Sequence, residues 1–324
     1  MKYILGFIGS VCFSVSSSLL VRMYNKDHKI SPALIACLTE ACKLVIVCSV
    51  SKCMYRKWPF RSPVRWGFFV NALLFAVTNT LTIVILEHVN AGLFLVMSQH
   101  KILFIVFLSR LMLDKKYSIL QWISCIILML GISLTQYKQY HFDLNLVTMS
   151  LVFIQGLSTS FAGVWTEKMM TFDLHDDQPV YSFFCDSTQL YLFGLPVYCL
   201  QYIVNPGIHS LSYNHSCILV LNTSVAGVFI GSVIKFYSMV SRCFVNGIAI
   251  VISIYISWAY MNEIFTIWSV IGTILVIFST VLFYKFPLQM MYDPIHAESE
   301  PLADDTQTTH FGQKLNQQTA CICA

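Results

Sequence analysis

Charge is what this sequence has least of. Aspartate, glutamate, lysine and arginine make up 11% of its residues, against 56% hydrophobic, and mean hydropathy is +0.68. A soluble domain typically carries about 25% charged residues, so a water-facing surface of ordinary size is excluded. The formal charge of +4 is scattered, without the basic stripe and interleaved aromatics of a nucleic-acid binder. The histidines are dispersed, and neither a metal-ligand spacing nor a nucleophile–base pairing can be read, so no metal, no cofactor and no enzyme chemistry is expected. The 12 cysteines lack the paired spacing of a disulfide framework. Cys12, Cys37, Cys42, Cys48, Cys125 and Cys199 lie in apolar runs, where they read as small hydrophobes.

Long apolar runs are what the chain has instead. A bilayer crossing needs about 20 apolar residues, and ten such stretches fall near 3–22, 31–51, 66–86, 91–113, 118–137, 146–166, 181–204, 216–238, 243–261 and 264–284. The expected fold class is an all-α membrane protein with ten transmembrane helices, its first partner the lipid bilayer. The opening run, Tyr3 to Val21, has no clear small-residue cleavage pattern and reads as the first helix rather than a signal peptide. Lysine and arginine favour cytosolic loops. They cluster after the second span (Lys52, Arg56, Lys57, Arg61, Arg65) and after the fourth (Lys115, Lys116), and are missing after the third, seventh and ninth. Both termini are therefore expected in the cytosol, against one conflict in the first loop (Arg22, Lys26, Lys29).

Five spans precede the connection at Gln139–Asn145 and five follow it. An odd count reverses orientation, so the halves, about 1–138 and 145–286, are expected as inverted repeats of one domain over 1–286, with a substrate site near the midplane. Residues 287–324 are polar and acidic, which predicts a disordered cytosolic tail. Its ending, Cys321-Ile322-Cys323-Ala324, fits a prenylation pattern loosely, though another anchor adds little to such a protein. Asn214-His215-Ser216 is a glycosylation sequon in a loop expected to be lumenal; both an occupied and an unmodified Asn214 fit, because the membrane is close. Asn222-Thr223-Ser224 matches too, but lies inside a span and is expected to be inert.

An ionisable side chain at membrane depth costs about 2.5–3.5 kcal/mol on insertion scales and marks a functional site unless paired or snorkelling. Glu40 and Lys43 are three apart on one helical face, so they either neutralise each other or serve a ligand. Lys101 stands mid-span with no acid on its own helix, beside Gln99 and His100; a lone ammonium there either loses its proton, pairs with Glu40 from another helix or takes an anionic ligand. Lys235 and Arg242 flank a helix turn. Arg242 is either a flank charge or, pointing inward, a planar fork suited to phosphate. Asn79 with Thr80 adds neutral hydrogen-bonding groups.

Around Lys101 the run Val96-Met97-Ser98-Gln99-His100-Lys101-Ile102, followed by Gln121-Trp122-Ile123-Ser124, resembles the nucleotide-sugar transporter family, in its CMP-sialic acid, UDP-galactose and UDP-N-acetylglucosamine branch. Thr39-Glu40 to Lys43-Leu44, Asn79, Phe161-Ala162-Gly163-Val164 with Glu167-Lys168, Gln189-Leu190-Tyr191, and Val233-Ile234-Lys235 with Arg242 and Phe244 agree in order. The resemblance implies ten helices in two inverted repeats, residence in the Golgi or endoplasmic reticulum membrane, and exchange of a cytosolic nucleotide sugar for lumenal nucleoside monophosphate. It makes Lys101 and Arg242 phosphate contacts, Asn79 a nucleotide contact and Tyr191 a cavity residue. The sequence departs where the family has Tyr-Gln-Val-Thr-Tyr-Gln and here stands Phe94-Leu95-Val96-Met97-Ser98-Gln99. It departs again at Asp186-Ser187, for Arg-Asn, and at Ser238-Met239, for Asp-Asn. The expected substrate-binding set is Lys101, Arg242, Asn79, Tyr191, Ser98, Gln99, Ser187, Lys43, Glu40 and Lys235. These departures leave a scaffold that has lost transport, or a carrier of another organic anion, as alternatives; self-association in the membrane stays open.

Overall fold

The computed structural model describes residues 2–24, 32–60, 64–89, 91–135, 146–171, 178–204, 213–261 and 266–285. The tail at 287–324 and the connection between the halves lie outside them. Every regular element among the described residues is helical. In chain order these are α1 (Lys2–Tyr24), α2 (Pro32–Tyr55), α3 (Gly67–His88), α4 (Ala91–Met97), a 3₁₀ turn (Ser98–His100), α5 (Lys101–Leu113), α6 (Ile119–Thr135), α7 (Leu146–Thr171), α8 (Pro179–Val204), α9 (Tyr213–Phe236), α10 (Met239–Met261) and α11 (Ile267–Lys285). Six are long and apolar enough to cross a membrane: α2, the α4–α5 segment, α7, α9, α10 and α11.

Local chemistry sets the ends. Prolines open α2 and α8, where the first turn needs no intrahelical N–H. The Ser238 hydroxyl accepts the Ser241 amide at 3.0 Å and caps α10. Asp114 ends α5 in a left-handed conformation, φ 52°. The sequence predicted one continuous span over 91–113; the structure breaks it just before Lys101. The Ser98 hydroxyl and the Gln99 amide both donate to the Leu95 carbonyl, at 3.1 and 2.7 Å, and His100 Nδ1 meets the Met97 carbonyl at 2.6 Å. Such local bonds compete with the helical ladder and tighten it into a 3₁₀ turn.

The bundle is apolar outside and partly polar within, the reverse of a soluble protein. Leu111, Ile119, Leu146 and Ile203 are exposed, whereas Asn71, Glu167, Asp186 and Lys235 are buried. α6 packs on α11, and α2 on α8; α1 lies against α9 and α10, and α7 against α3 and α5; α2 also meets α9, and α3 meets α8. At the α6–α11 contact a Cβ on Gly272 would lie 2.6 Å from the Gly131 carbonyl oxygen. Glycine there lets two backbones approach, the usual device where no water drives helices together. An apolar core of Ile102, Ile105, Cys125, Leu128, Phe244 and Val276 ties α5, α6, α10 and α11. Beside that core α1, α2, α3, α7, α8, α9 and α10 surround a cavity.

Candidate functional site

Two adjoining cavities lie between the halves. The larger, about 420 Å³, is lined by Glu40, Lys43, Tyr191, Tyr198 and Arg242 among others. The smaller, about 140 Å³, is lined by Gln99, Lys101, Thr159, Arg242, Cys243 and Asn246. Ser14, Phe75, Ile230, Arg242 and Asn246 face both, so Arg242 stands where the two meet. Small-molecule sites run from about 300 to 1,000 Å³, and the larger cavity falls in that range.

Lys101 reaches the cavity because α5 restarts at it after the 3₁₀ turn. Its carbonyl accepts the Ser160 hydroxyl of α7 at 3.0 Å, and the neighbouring His100 ring stacks on Phe153 with centroids 5.7 Å apart. These contacts fix the start of α5 against the other half. Arg242 lies one turn into α10, and among the described residues its guanidinium meets the Met239 sulfur at 3.8 Å.

The charge pairing singles these two cations out. Among the described residues Glu40 holds Lys43 at 2.7 Å, Asp186 holds Lys235 at 2.6 Å and Arg65 at 3.5 Å, and Glu167 holds Lys115. Lys101 and Arg242 have no carboxylate within ion-pair distance among those residues, yet both face the same small cavity. Taking a cation out of water costs several kcal/mol unless an anion compensates. Two cations thus converge on one cavity without an acid beside them among the described residues. Gln99 adds to the same wall a buried side-chain oxygen with no hydrogen-bond partner among the described residues.

The other expected residues divide. Glu40 and Lys43 form the local ion pair and line the larger cavity, where the Lys43 ammonium lies 5.4 Å from the Tyr191 ring centre. Lys101 and Glu40 are not within ion-pair distance of each other. Asn79 lies beside the Tyr198 hydroxyl but lines neither cavity. Three further expected residues lie away from both cavities. Lys235 is 1% exposed and donates to Asp186 and, at 2.9 Å, to Ser182; it is not on either cavity wall because a partner 49 residues earlier in the chain claims it. Ser98 spends its hydroxyl on a carbonyl of its own turn, and Ser187 is fully buried; neither lines a cavity. Asn214 falls in the first turn of α9, and its side chain lies outside the described residues. Asn222, of the sequon expected to be inert, donates to the Ser17 hydroxyl at 2.7 Å.

Ser14, Ser17, Tyr198, Thr223 and Asn246 line the cavities without having been singled out in the sequence. Asn246 had a legible signal, four residues after Arg242 and so on the same helical face. Gly227 has a packing signal. A Cβ there would lie 2.5 Å from Lys43 Cε. Gly227→Ala is expected to push Lys43 off Glu40 and to cost about 1–3 kcal/mol, as overpacking does, read as a lower melting temperature in detergent. An unchanged melting temperature would mean that the lysine stem repacks freely.

The bundle and its cavity define a class: a helical membrane protein with an internal cavity that two cations face. Comparison with known proteins gives the family. Residues 36–284 match the nucleotide-sugar transporter family, and the chain belongs to it. The rat (Rattus norvegicus) UDP-N-acetylglucosamine transporter is 29% identical over 229 residues, covering 65% of this chain and 68% of the relative. UDP-galactose translocator 1 of Caenorhabditis elegans is 24% identical over 289 residues, covering 80% of each. A solved structure described only as "Crystal structure of protein" superposes with a TM-score of 0.66 at 12% identity, over 86% of this chain and 96% of the other; it speaks for the fold alone. The family and its named relatives are transporters, not enzymes.

Proposed function

We propose that this chain is an antiporter that carries a nucleotide sugar into the Golgi or endoplasmic reticulum lumen and returns a nucleoside monophosphate. The observation that carries the reading is the pair of cations, Lys101 and Arg242, that face one cavity with no ion-pair partner among the described residues. Arg242 offers a planar fork for phosphate oxygens, and Lys101 a compact charge. The tyrosines, serines and the Glu40–Lys43 pair of the adjoining cavity leave room and hydrogen-bonding partners for the rest of the solute. Relatives named for UDP-N-acetylglucosamine and UDP-galactose make uridine diphosphate sugars the first substrates to test.

Ten crossings in two inverted five-helix repeats fit the packing, counting α4–α5 as one span. If each helix of the first half is exchanged for its counterpart in the second, α1 on α9 becomes α7 on α3, and α1 on α10 becomes α7 on α5. The pair α2 on α9 becomes α8 on α3, while α2–α8 and α6–α11 map onto themselves. A pseudo-two-fold axis in the membrane plane produces that reciprocity and puts the site at the repeat interface. Lys52, Arg56, Lys57, Arg65, Lys115 and Lys116 gather at one end of the bundle, which supports that end, and both termini, as cytosolic. Exchange rather than one-way flux follows if the empty cationic site reorients slowly.

Proteoliposomes preloaded with uridine monophosphate are expected to take up labelled UDP-N-acetylglucosamine or UDP-galactose faster than empty ones. Equal uptake with and without preloading would refute exchange. One feature favours a second reading, a membrane scaffold without transport: Ser98 satisfies itself on its own helix and Phe94 has no hydroxyl, so fewer groups remain to read a base. That reading requires that no nucleotide stabilise the protein.

A further inference from the structure

Away from the cavity, the buried charges of the described residues gather at one end of the bundle. It is the end where α2, α5, α7 and α9 finish and where α3, α6, α8 and α10 begin. Two clusters sit there, and each bridges the halves. In one, Asp186 of α8 takes Lys235 of α9 at 2.6 Å and Arg65, just before α3, at 3.5 Å. In the other, Glu167 of α7 takes Lys115 from the α5–α6 connection and accepts the Met239 amide at the start of α10 at 3.0 Å. Toward the opposite end the cross-half bonds are neutral: Gln155 to Thr82 and Gln201 to Thr80, both 3.1 Å, and Asn222 to Ser17.

Both clusters share an asymmetry. The acid is buried and belongs to the second half, Asp186 at 1% and Glu167 at 0% exposure, and each holds another bond inside that half. The cation from the first half is the member nearest water, its side chain 16% exposed for Arg65 and 33% for Lys115. Separation of the halves at this end would release each cation to solvent while leaving its acid partnered, by Lys235 in one cluster and by the Met239 amide in the other. Stripping one partner from a buried ion pair is normally expensive because the other charge is orphaned; here neither acid is orphaned. An apolar seal of the same area would lack this property.

We infer that Arg65 and Lys115 are the releasable members of a gate that closes this end of the transport cavity, with Asp186 and Glu167 as its fixed receptors. The gate builds on the transport reading above and deepens it. It also gives a use to Asp186, which stands where the resemblance has no acid, and to Ser238-Met239, which cap α10 and offer the amide to Glu167. Arg65 also donates its main-chain amide to Gln189 at 3.2 Å and its guanidinium to the Met169 carbonyl at 3.2 Å, so the latch engages three groups of the other half.

The test is hydrogen–deuterium exchange on the full chain in lipid nanodiscs, for wild type, Arg65→Gln, Lys115→Gln and the double variant. Both changes remove a cation and leave the acids with their partners in the second half, so the fold is expected to survive; an unaltered exchange pattern within α6 and α11 checks this. Deuterium uptake should rise several-fold in peptides covering 56–68, 113–119 and 236–242, most in the double variant, with no rise in peptides covering 78–89. Unchanged uptake in all three variants would overturn the gate. So would a rise spread evenly over both ends, because that reports loosening of the whole bundle. Neither result depends on a nucleotide, so failure of the gate and failure of the transport reading remain separate.

Discussion

Lys101→Ala is expected to abolish nucleotide-sugar exchange in proteoliposomes while the protein stays folded. The ammonium has no partner among the described residues, so its removal orphans no acid and creates no buried unpaired charge. What is lost is one side of the anion site. A hydrogen bond to a charged group is worth about 1.5–3 kcal/mol, or roughly ten- to a hundredfold in affinity. Melting temperature without ligand should be unchanged or slightly higher, since a desolvated cation has gone. Arg242→Lys should fall between wild type and Lys101→Ala, keeping charge but losing the two-pronged contact. Full exchange by Lys101→Ala would mean that the substrate phosphate lies elsewhere.

Lys235→Met should do the opposite: a large loss of stability that substrate affinity does not explain. Its ammonium is sealed between Asp186 and Ser182. Removing it leaves a 1% exposed carboxylate with the longer contact to Arg65 as its remaining ion pair among the described residues. Breaking a buried pair from one side costs about 3–5 kcal/mol, whereas replacing both members by apolar groups is often neutral. The double change Asp186→Leu with Lys235→Met should therefore recover most of the loss. A double variant no better than the single one would mean that the lysine stem packs rather than pairs. Thermal unfolding in detergent, with nucleotide affinity on the folded fraction, reads both.

The sequence made Lys101 legible because a lone ammonium in an apolar run has no local explanation. Glu40 and Lys43 were legible because three residues of helix bring them together. Arg242 was ambiguous, standing near a helix end where flank charges also occur, and only packing turns it inward. The pairing of Lys235 was not legible for a related reason: its partner lies 49 residues away on another helix. Contacts of that kind leave no trace in spacing. The same holds for Cys37 and Cys199, 162 residues apart in sequence with sulfurs 3.0 Å apart. The departures at Asp186-Ser187 and Ser238-Met239 looked like lost substrate contacts, but the structure puts them in an ion cluster and a helix cap. The helix count came from hydropathy, whereas the break before Lys101 came from three short side-chain bonds that hydropathy ignores.

The most direct test of a phosphate-reading cavity is a thermal-shift comparison on the purified wild-type chain. Uridine monophosphate, UDP-N-acetylglucosamine and UDP-galactose would be set against uridine and the free sugars. A ligand at a hundred times its Kd stabilises by about 2.7 kcal/mol, which gives a clear rise in melting temperature. The expected result is stabilisation by at least one phosphorylated ligand, none by uridine or free sugar, and loss of that stabilisation in Lys101→Ala. Stabilisation by no nucleotide, or equal stabilisation by uridine, would contradict it.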